Sequence, residues 1–404
     1  MKTFNFQSSF FVIWVIMLAT FLLKISSVGG HATQIAKLTF AASLWAAVIF
    51  FPYQYLRKND FGNGVNILLR IIILLAVVAT LRSVFGEYDG KLGNKWFTLF
   101  GNEECMFMLL APCFMYLVVA PNSVSILKSV TQMYLVLGTL AIVTGYYVVG
   151  GALWFSGLLF PYMRFHFKLL VFFSVAMSVF GALFAENTSR SNIVVLVVIV
   201  VAYGSVYFLH NKKLIWAICM TMILAPLIYS VLMLIDPNYS IFSIILDQVL
   251  QQTGDETMAT DTRSFLFWEM AEDLGKNNAW LFGKGALSNY YSYFFSRSTS
   301  ENADVAMRIG VEVTFLQLML RSGIVYVVAY YSLLTMSVVK ALRYAQSKFV
   351  LAIAVTASGW SLFSCMSYVN GCNFLHVGFF LMLGCCVSQR WLNYTDTDIR
   401  RILK

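Results

Sequence analysis

The sequence predicts an all-α polytopic membrane protein with one large loop outside the membrane. Of its 404 residues 59% are hydrophobic and 12% are charged, whereas about 25% of the residues of a soluble domain are charged. Apolar stretches of about 20 residues, the length of a helix that crosses a bilayer, recur along the chain. Their longest interruption is a polar region at 236–307. We therefore predict a single helical membrane domain over residues 1–404, with 236–307 as its large loop.

Each apolar stretch is predicted to form one membrane-spanning helix. We count eleven, and the pattern is compatible with ten to twelve; they cover residues 8–26, 36–56, 65–85, 103–120, 128–149, 168–185, 192–209, 214–235, 311–335, 349–369 and 372–391. The first stretch has no small-residue cleavage site, so we expect it to be retained as a span. The region 82–103 is interrupted by charges, and residues 101–104 are expected to form a broken or re-entrant element.

Basic residues at the ends of the spans indicate the orientation of the chain. If the loop is outside, then Lys212, Lys213, the 340–348 turn and the basic tail after Arg390 are all inside, as the positive-inside rule requires. Residues 57–58 fit less well, because eleven spans counted back from an internal C-terminus place them outside. A missed or extra span before residue 165 would restore agreement.

The charge of the loop differs in sign from that of the remaining chain. Residues 236–307 hold ten acids and four bases, a net of −6, which leaves +15 elsewhere in a chain of net +9. Basic residues that flank spans are typical of contact with anionic lipid, and nucleic-acid binding is not implied. All seven cysteines lie in or beside apolar segments, which indicates small core residues rather than a disulfide framework.

One amphipathic helix is predicted inside the loop, over residues 262–274. Its apolar stripe is Phe265, Trp268, Met270 and Leu274. Asp261 can cap its start, Asn277 and Asn278 are expected to end it, and a tight turn follows at 283–285. The aromatic run at 286–296 either lies on the membrane surface or packs the loop onto the helices.

Two arginines, Arg190 and Arg263, are candidate anion ligands. Arg190 lies at the junction of two spans beside Thr188 and Ser189, and its planar guanidinium suits a pyrophosphate. Arg263 begins the loop helix, at the end where the helix dipole favours anions. Plain alternatives are an ion pair of Arg190 with Glu186 or contact with lipid headgroups, and an ion pair of Arg263 with Asp261 or Glu256.

Three further charged residues lie at or in the span after the loop. Arg308 and Glu312 are four residues apart, so on a helix they share one face, either as a salt bridge or as an anion-binding and acid/base pair. Arg321 falls inside the span, where an unpaired charge costs about 2.5–3.5 kcal/mol or more. We therefore expect it to face a partner or a wet cavity, with Gly323 marking a helix break that supplies carbonyl partners.

No metal or cofactor site is predicted. The four histidines are scattered without a metal-ligand spacing. Asp396-Thr397-Asp398 is similar to a metal-binding acid pair of soluble nucleotide-sugar transferases, yet it lies in a short basic tail. No phosphate-cradling glycine pattern is present.

The order of these features resembles the O-antigen polymerase and O-antigen ligase superfamily of lipid-linked glycan enzymes. The resemblance covers about residues 180–335: Thr188 to Ser191 before a span, Arg263 five residues before Trp268, Leu281 to Gly285, Glu312 to Leu318, and Ser322 to Ile324. It implies a metal-independent, GT-C-like glycosyltransferase of a bacterial inner membrane, with its loop in the periplasm and an undecaprenyl-pyrophosphate-linked oligosaccharide as donor. Arg190 and Arg263 match arginines thought to hold the pyrophosphate.

The resemblance leaves the acceptor open. Ligases typically carry a histidine just before the span that follows the loop, and residues 307–312 contain none. This favours a polymerase, with Glu312 as the substitute base, Arg308 and Arg321 as further pyrophosphate ligands, and Trp268, Tyr290 and Tyr291 as sugar-stacking candidates. The alternatives are a ligase that passes glycan to lipid A core and, in another class, a lipid-linked oligosaccharide flippase. Expected partners are membrane lipids, a chain-length regulator and a flippase.

Overall fold

Helices make up nearly all of the chain that the structure describes. The computed structural model describes residues 38, 41–45, 48, 60–86, 94–102, 104–119, 122–143, 150–184, 191–209, 211–236, 262–292, 307–308, 310–311, 313–366, 372 and 374–403. In the N-terminal half these form α1 (Asn63–Phe85), α2 (Lys95–Gly101), α3 (Met106–Leu110), a 3-10 helix (Ala111–Val119), α4 (Ser123–Val143), α5 (Gly150–Leu159), a 3-10 turn (Phe160–Tyr162), α6 (Phe165–Phe184) and α7 (Ser191–Tyr207).

The C-terminal half contains the loop and the longest helix. Its elements are α8 (Lys212–Ile235), α9 (Thr262–Lys276), strands β1 (Tyr290–Tyr291) and β2 (Met307–Arg308), α10 (Thr314–Tyr344), α11 (Lys348–Met366), α12 (Phe374–Val387), α13 (Gln389–Asn393) and α14 (Asp396–Leu403). The strands pair antiparallel, with Tyr290 opposite Arg308.

The membrane character of the chain is confirmed. Among the described residues, five segments are long and apolar enough to cross a bilayer: Asn63–Phe85, Lys95–Val119, Lys212–Ile235, Thr314–Tyr344 and Lys348–Cys365. Shorter apolar helices lie at Phe165–Met177, Val194–Tyr207 and Leu375–Val387. The predicted span 8–26 and most of 36–56 lie outside the described residues, so the count of eleven stays a prediction.

The structure differs most from the predicted spans at the helix after the loop and at the short helix α5. The span expected at 311–335 is the 31-residue helix α10, which ends at Tyr344. The apolar helix α5 was not predicted, because its ten residues make a helix of about 15 Å, shorter than the stretch that a membrane crossing requires. The interruption expected after residue 82 is present, since α1 ends at Phe85 and α2 begins at Lys95 after an Asn94 cap.

Helix α11 lies in the centre of the bundle and packs against α7, α8, α10 and α12. Its fully buried Trp360 stacks on Phe379 of α12, with ring centroids 4.1 Å apart. The indole nitrogen of Trp360 donates a 3.1 Å hydrogen bond to the Tyr330 hydroxyl of α10. An aromatic side chain with a satisfied polar atom thus joins three helices at the core.

The ends of three helices meet at Lys340, on the side of the bundle opposite the loop. Its ammonium group donates to the carbonyl oxygens of Phe61, just before α1, at 2.8 Å and of Val387, the last residue of α12, at 2.6 Å. Ser388 donates from its hydroxyl to the Asp60 carboxylate nearby. A lysine that satisfies terminal carbonyls marks one boundary of the apolar region.

The acidic tail motif at 396–398 caps helices. The Asp396 carboxylate accepts a 2.8 Å hydrogen bond from the Lys348 amide at the start of α11. The Thr395 amide donates to the Asp398 carboxylate at 3.0 Å, and the Asp398 amide donates to the Thr395 hydroxyl at 3.3 Å, which is a reciprocal capping box. Buried Ile399 and Leu403 dock α14 onto the bundle, so both acids have structural partners.

The capping box predicts a pH-dependent tail. The Thr395 hydroxyl, which donates to Asp398, and the Thr395 amide hold the pKa of that carboxyl below its ordinary value of 3.8. A carboxyl group whose pKa is lower in the folded than in the unfolded state stabilises the fold at pH values above its unfolded-state pKa. This stabilisation is lost as the pH falls through the folded-state pKa. The protection factors of the α14 amides, which are their exchange rates relative to the intrinsic rate at each pH, should therefore fall below pH 3.8.

Asp398→Ala should remove this pH dependence and expose the α14 amides at neutral pH. Asn393→Ala, at an exposed position of the preceding helix, should leave it unchanged. Equal pH profiles of exchange in the Asp398→Ala variant and the parent would contradict the assignment.

Candidate site at the loop–membrane junction

Helix α10 is broken at Gly323, near its loop end. Gly323 has φ 74° and ψ −177°, which no helix contains. An L-residue is disfavoured at this φ, and a Cβ atom here would overlap the Leu281 carbonyl. The predicted break is therefore confirmed, and glycine is required both by the backbone angle and by the close approach of another chain segment.

Residues 279–288, which we name the inserted segment, satisfy the backbone on both sides of the break. The amides of Lys284 and Gly285 donate to the carbonyls of Leu320 and Arg321, at 2.7 and 3.1 Å. In return, the amides of Ile324 and Val325 donate to the carbonyls of Trp280 and Leu281, at 2.9 and 3.4 Å. An unsatisfied backbone group in a bilayer costs several kcal/mol, so the inserted segment is what allows α10 to be broken there.

The inserted segment also bonds to α1. The Ala286 amide donates to the Ala79 carbonyl at 3.1 Å, and the Leu287 amide donates to the Ser83 hydroxyl at 2.9 Å. The turn predicted at 283–285 is present, with φ values of 64° at Gly283 and 115° at Gly285. The loop is thus wedged by its backbone between two membrane helices.

Arg321 of α10 binds the inserted segment through its side chain. Its side chain is fully buried, and its guanidinium donates to the Ala286 carbonyl. The expectation that this arginine faces a partner is confirmed, but the carbonyl comes from the inserted segment and not from the broken helix. Its predicted contact with a pyrophosphate stays a prediction, because the contacts described here are with protein groups.

Helix α9 packs its inner face on the bundle. It contacts α8 and α10, and the side chains on that face are Leu266, Phe267, Met270 and Leu274. The predicted stripe was half wrong, because Phe265 and Trp268 are exposed and form an edge-to-face pair with centroids 6.2 Å apart. The helix ends at Lys276 and Asn278 has φ 50°, as the two asparagines predicted.

Two polar contacts that were not predicted join α9 to the rest of the loop. The buried Glu269 carboxylate accepts a 3.1 Å hydrogen bond from the Ser292 hydroxyl. Lys284 pairs with Asp273 at 2.9 Å and donates to the Asn289 carbonyl at 2.7 Å. The helical spacing of the sequence could have indicated that Glu269 is buried, because it lies between Leu266 and Met270 on the inner face.

Arg308 lies in strand β2, opposite Tyr290. The predicted helical pair of Arg308 and Glu312 is therefore wrong, because α10 begins only at Thr314 and the chain before it pairs with the loop as a strand. The Val311 amide, between strand and helix, donates to the Gln317 side chain at 2.8 Å. Tertiary pairing thus overrides the helical spacing at this point.

The three predicted sugar-stacking residues differ in exposure. Tyr290 is fully buried, while Trp268 is 42% exposed and Tyr291 is 40% exposed. Of these three residues, Trp268 and Tyr291 therefore have surface that a sugar could contact, and Tyr290 has none. Both are on the loop side of the junction.

The residues on which the predicted pyrophosphate site depends are described only in part. Arg190 and Glu312 lie outside the described residues, and Arg263 is described as part of the α9 backbone without its side chain. The neighbours in sequence are placed: Ser191 begins α7, and Val311 and Val313 are fully buried. Within the described ranges, no group of three or more histidine, cysteine or acidic residues is arranged to hold a metal ion.

A small aromatic cavity lies elsewhere, between α5, α11 and α12. It is lined by Trp154, Thr356, Trp360 and Phe379 among others, and none of the predicted site residues lines it. The Trp154 indole nitrogen and the Thr356 hydroxyl are buried without a hydrogen-bond partner in the described part of the chain. The cavity is thus separate from the loop–membrane junction.

Comparison with known proteins gives no relative. The chain matches none of the family models, curated proteins or solved structures with which it was compared. The functional interpretation therefore depends on the residues and contacts of this chain.

Replacing Gly323 by alanine should destabilise the fold, whereas replacing a glycine inside a regular helix should not. Gly323→Ala places a Cβ atom at positive φ against the Leu281 carbonyl, so we expect a loss of about 1–3 kcal/mol from the backbone angles, and more from the displaced segment. Gly204→Ala in α7 is the matched control, because no heavy atom lies within 4 Å of its Cβ position. Alanine there should stabilise α7 by about 0.5–1 kcal/mol.

Thermal unfolding of both variants in detergent measures the difference. The midpoint should fall for Gly323→Ala and hold or rise for Gly204→Ala. Equal midpoints for both variants would show that the break is not required by the fold.

Proposed function

We propose that the protein is a glycan polymerase that transfers a growing chain from undecaprenyl pyrophosphate to the terminal sugar of an incoming lipid-linked repeat unit. The observation that carries the proposal is the loop wedged into the broken helix α10. It supports a site at the membrane surface, because a lipid-linked donor presents its pyrophosphate and sugar there. The sequence features shared with lipid-linked glycan enzymes supply the reaction class.

Helix geometry supports placing Arg190 on the loop side of the membrane. Tyr207, at the end of α7, lies under the Lys348 ammonium at the start of α11, with 5.2 Å to its ring centroid. Val198, which is earlier in α7 than Tyr207, lies next to Gly359, which is later in α11 than Lys348. Helix α7 therefore runs antiparallel to α11. The start of α7 at Ser191 therefore lies toward the loop end, and Arg190 directly precedes it in sequence.

Both proposed pyrophosphate ligands are next to helix starts. Arg190 precedes α7 and Arg263 is the second residue of α9. Helix N-termini and guanidinium groups both favour anions, so a diphosphate between them gains from each. Arg308, which is partly exposed in β2, is a further ligand candidate, whereas Arg321 acts by positioning the inserted segment.

The transfer step follows from these groups. A hydroxyl of the acceptor sugar attacks the anomeric carbon of the donor, and a new glycosidic bond forms as the bond to the pyrophosphate breaks. The arginines stabilise the charge that develops on the departing polyprenyl pyrophosphate. Glu312, two residues before the start of α10 in the sequence, takes the proton from the attacking hydroxyl. Trp268 and Tyr291 offer exposed ring faces to the sugars.

The alternatives differ in acceptor or in chemistry. A ligase that attaches glycan to lipid A core uses the same donor, and the absence of a histidine at 307–312 favours the polymerase. A flippase needs cationic surfaces without bond chemistry, and the sequence shows no internal repeat of the kind common in transporters. We place the enzyme in a bacterial inner membrane with its loop in the periplasm, working with a chain-length regulator and a flippase.

Arg190→Ala and Arg263→Ala should each reduce chain extension about 10²–10³-fold, the usual loss when one transition-state ligand is removed. The assay uses purified protein in detergent, with a lipid-linked repeat unit as donor and acceptor and a gel ladder as readout. Arg401→Ala, an exposed arginine of the tail, is the control and should keep the ladder.

Wild-type ladders from both loop-side variants would refute the proposed site. Extension in detergent, where there is no membrane to cross, also excludes a flippase. A parent protein that transfers glycan only to a lipid A core acceptor would be a ligase.

A further inference from the structure

Three consecutive apolar side chains of the inserted segment are exposed. Trp280, Leu281 and Phe282, which we name the loop foot, are 36%, 59% and 42% exposed. They belong to a loop whose net charge is −6 over residues 236–307. A contiguous exposed apolar group in an acidic loop indicates an interaction surface.

The length of α10 places the loop foot within the bilayer. Lys340 marks one boundary of the apolar region, because its ammonium binds the carbonyls of Phe61 and Val387 at the ends of neighbouring helices. Gly323 is seventeen residues earlier in the same helix, about 25 Å away at 1.5 Å per residue. The hydrocarbon region is about 30 Å thick, so the break lies inside its far edge.

Helix α1 gives an independent measure of the same depth. It begins at Asn63, close to the same boundary, and Ala79 is sixteen residues further on, which corresponds to about 24 Å. Ala79 accepts the hydrogen bond from Ala286 of the inserted segment. The distances along α1 and α10 thus give the same depth for the inserted segment.

The surfaces beside the loop foot face lipid. On α10, Val328 is 59% exposed one turn beyond the break, and on α1 Leu81 and Phe85 are exposed. Exposed aliphatic residues on membrane helices contact acyl chains. The loop foot continues this surface, and a tryptophan at the edge of the hydrocarbon is typical of the interfacial aromatic belt.

The backbone of the loop foot is compatible with lipid contact. The carbonyls of Trp280 and Leu281 accept from α10, and the Gly283 amide donates to the Ala279 carbonyl at 2.8 Å. Non-helical backbone is tolerated at membrane depth where protein satisfies its polar groups. We infer that the loop foot is inserted into the bilayer leaflet on the loop side, where Trp280, Leu281 and Phe282 contact the acyl chains of membrane lipid.

Spin labelling tests this insertion directly. A nitroxide is attached to Leu281→Cys in the full-length protein, reconstituted in phosphatidylcholine and phosphatidylglycerol nanodiscs. The seven native cysteines are all buried, and an unlabelled parent measures any background. Collision with oxygen, which concentrates in hydrocarbon, is compared with collision with a water-soluble nickel complex.

Two matched positions calibrate the measurement. Val328→Cys is the lipid-facing reference on α10, and Lys276→Cys, whose lysine side chain is 60% exposed at the end of α9, is the water-facing reference. Leu281→Cys should show the oxygen-to-nickel ratio of Val328→Cys, several-fold above that of Lys276→Cys. Phe282→Cys gives an independent reading and carries the test if Leu281→Cys folds poorly.

Two results would overturn the inference. A ratio at both positions equal to that of Lys276→Cys would place the loop foot in water, where its partner would be a sugar or a protein. Low collision rates with both reagents would mean that the surface is covered by protein. Neither result depends on glycan transfer, so the inference stands or falls separately from the proposed function.

Discussion

The need to satisfy backbone hydrogen bonds in a membrane governs the organisation of this protein around its loop. A helix broken at Gly323 leaves carbonyls and amides that lipid cannot satisfy. The inserted segment provides partners on both sides, through Lys284 and Gly285 in one direction and Trp280 and Leu281 in the other. The broken helix and the loop are thus mutually dependent.

Several side chains have their roles because of this arrangement. Gly323 and Gly283 allow the two backbones to approach, since a Cβ atom at either would overlap the other segment. Arg321 is tolerated as a buried charge because its guanidinium meets the Ala286 carbonyl. The Lys284–Asp273 pair then ties α9 to the inserted segment. The base of the loop is therefore held by the membrane helices and is not a freely hinged lid.

Local sequence signals predicted the local features of this junction. The Gly283-Lys284-Gly285 sequence indicated the turn at 283–285, paired asparagines indicated the end of α9, and Gly323 beside a charge in an apolar stretch indicated the helix break. Features set by tertiary contacts were missed. Arg308 lies in a strand because residues 290–291 pair with it, and α9 buries Leu266 and Phe267 because α8 and α10 lie on that side. The short helix α5 has an apolar composition but not the length by which spans are recognised.

Backbone hydrogen bonds between the inserted segment and α10 hold the loop in the membrane domain. Amide hydrogen exchange of the protein in lipid nanodiscs tests it most directly, at Lys284, Gly285, Ile324 and Val325. We predict that all four amides exchange as slowly as those in the middle of α10. Fast exchange at Lys284 and Gly285, with slow exchange maintained beyond residue 326, would show that the loop is not anchored at the break and would contradict the account.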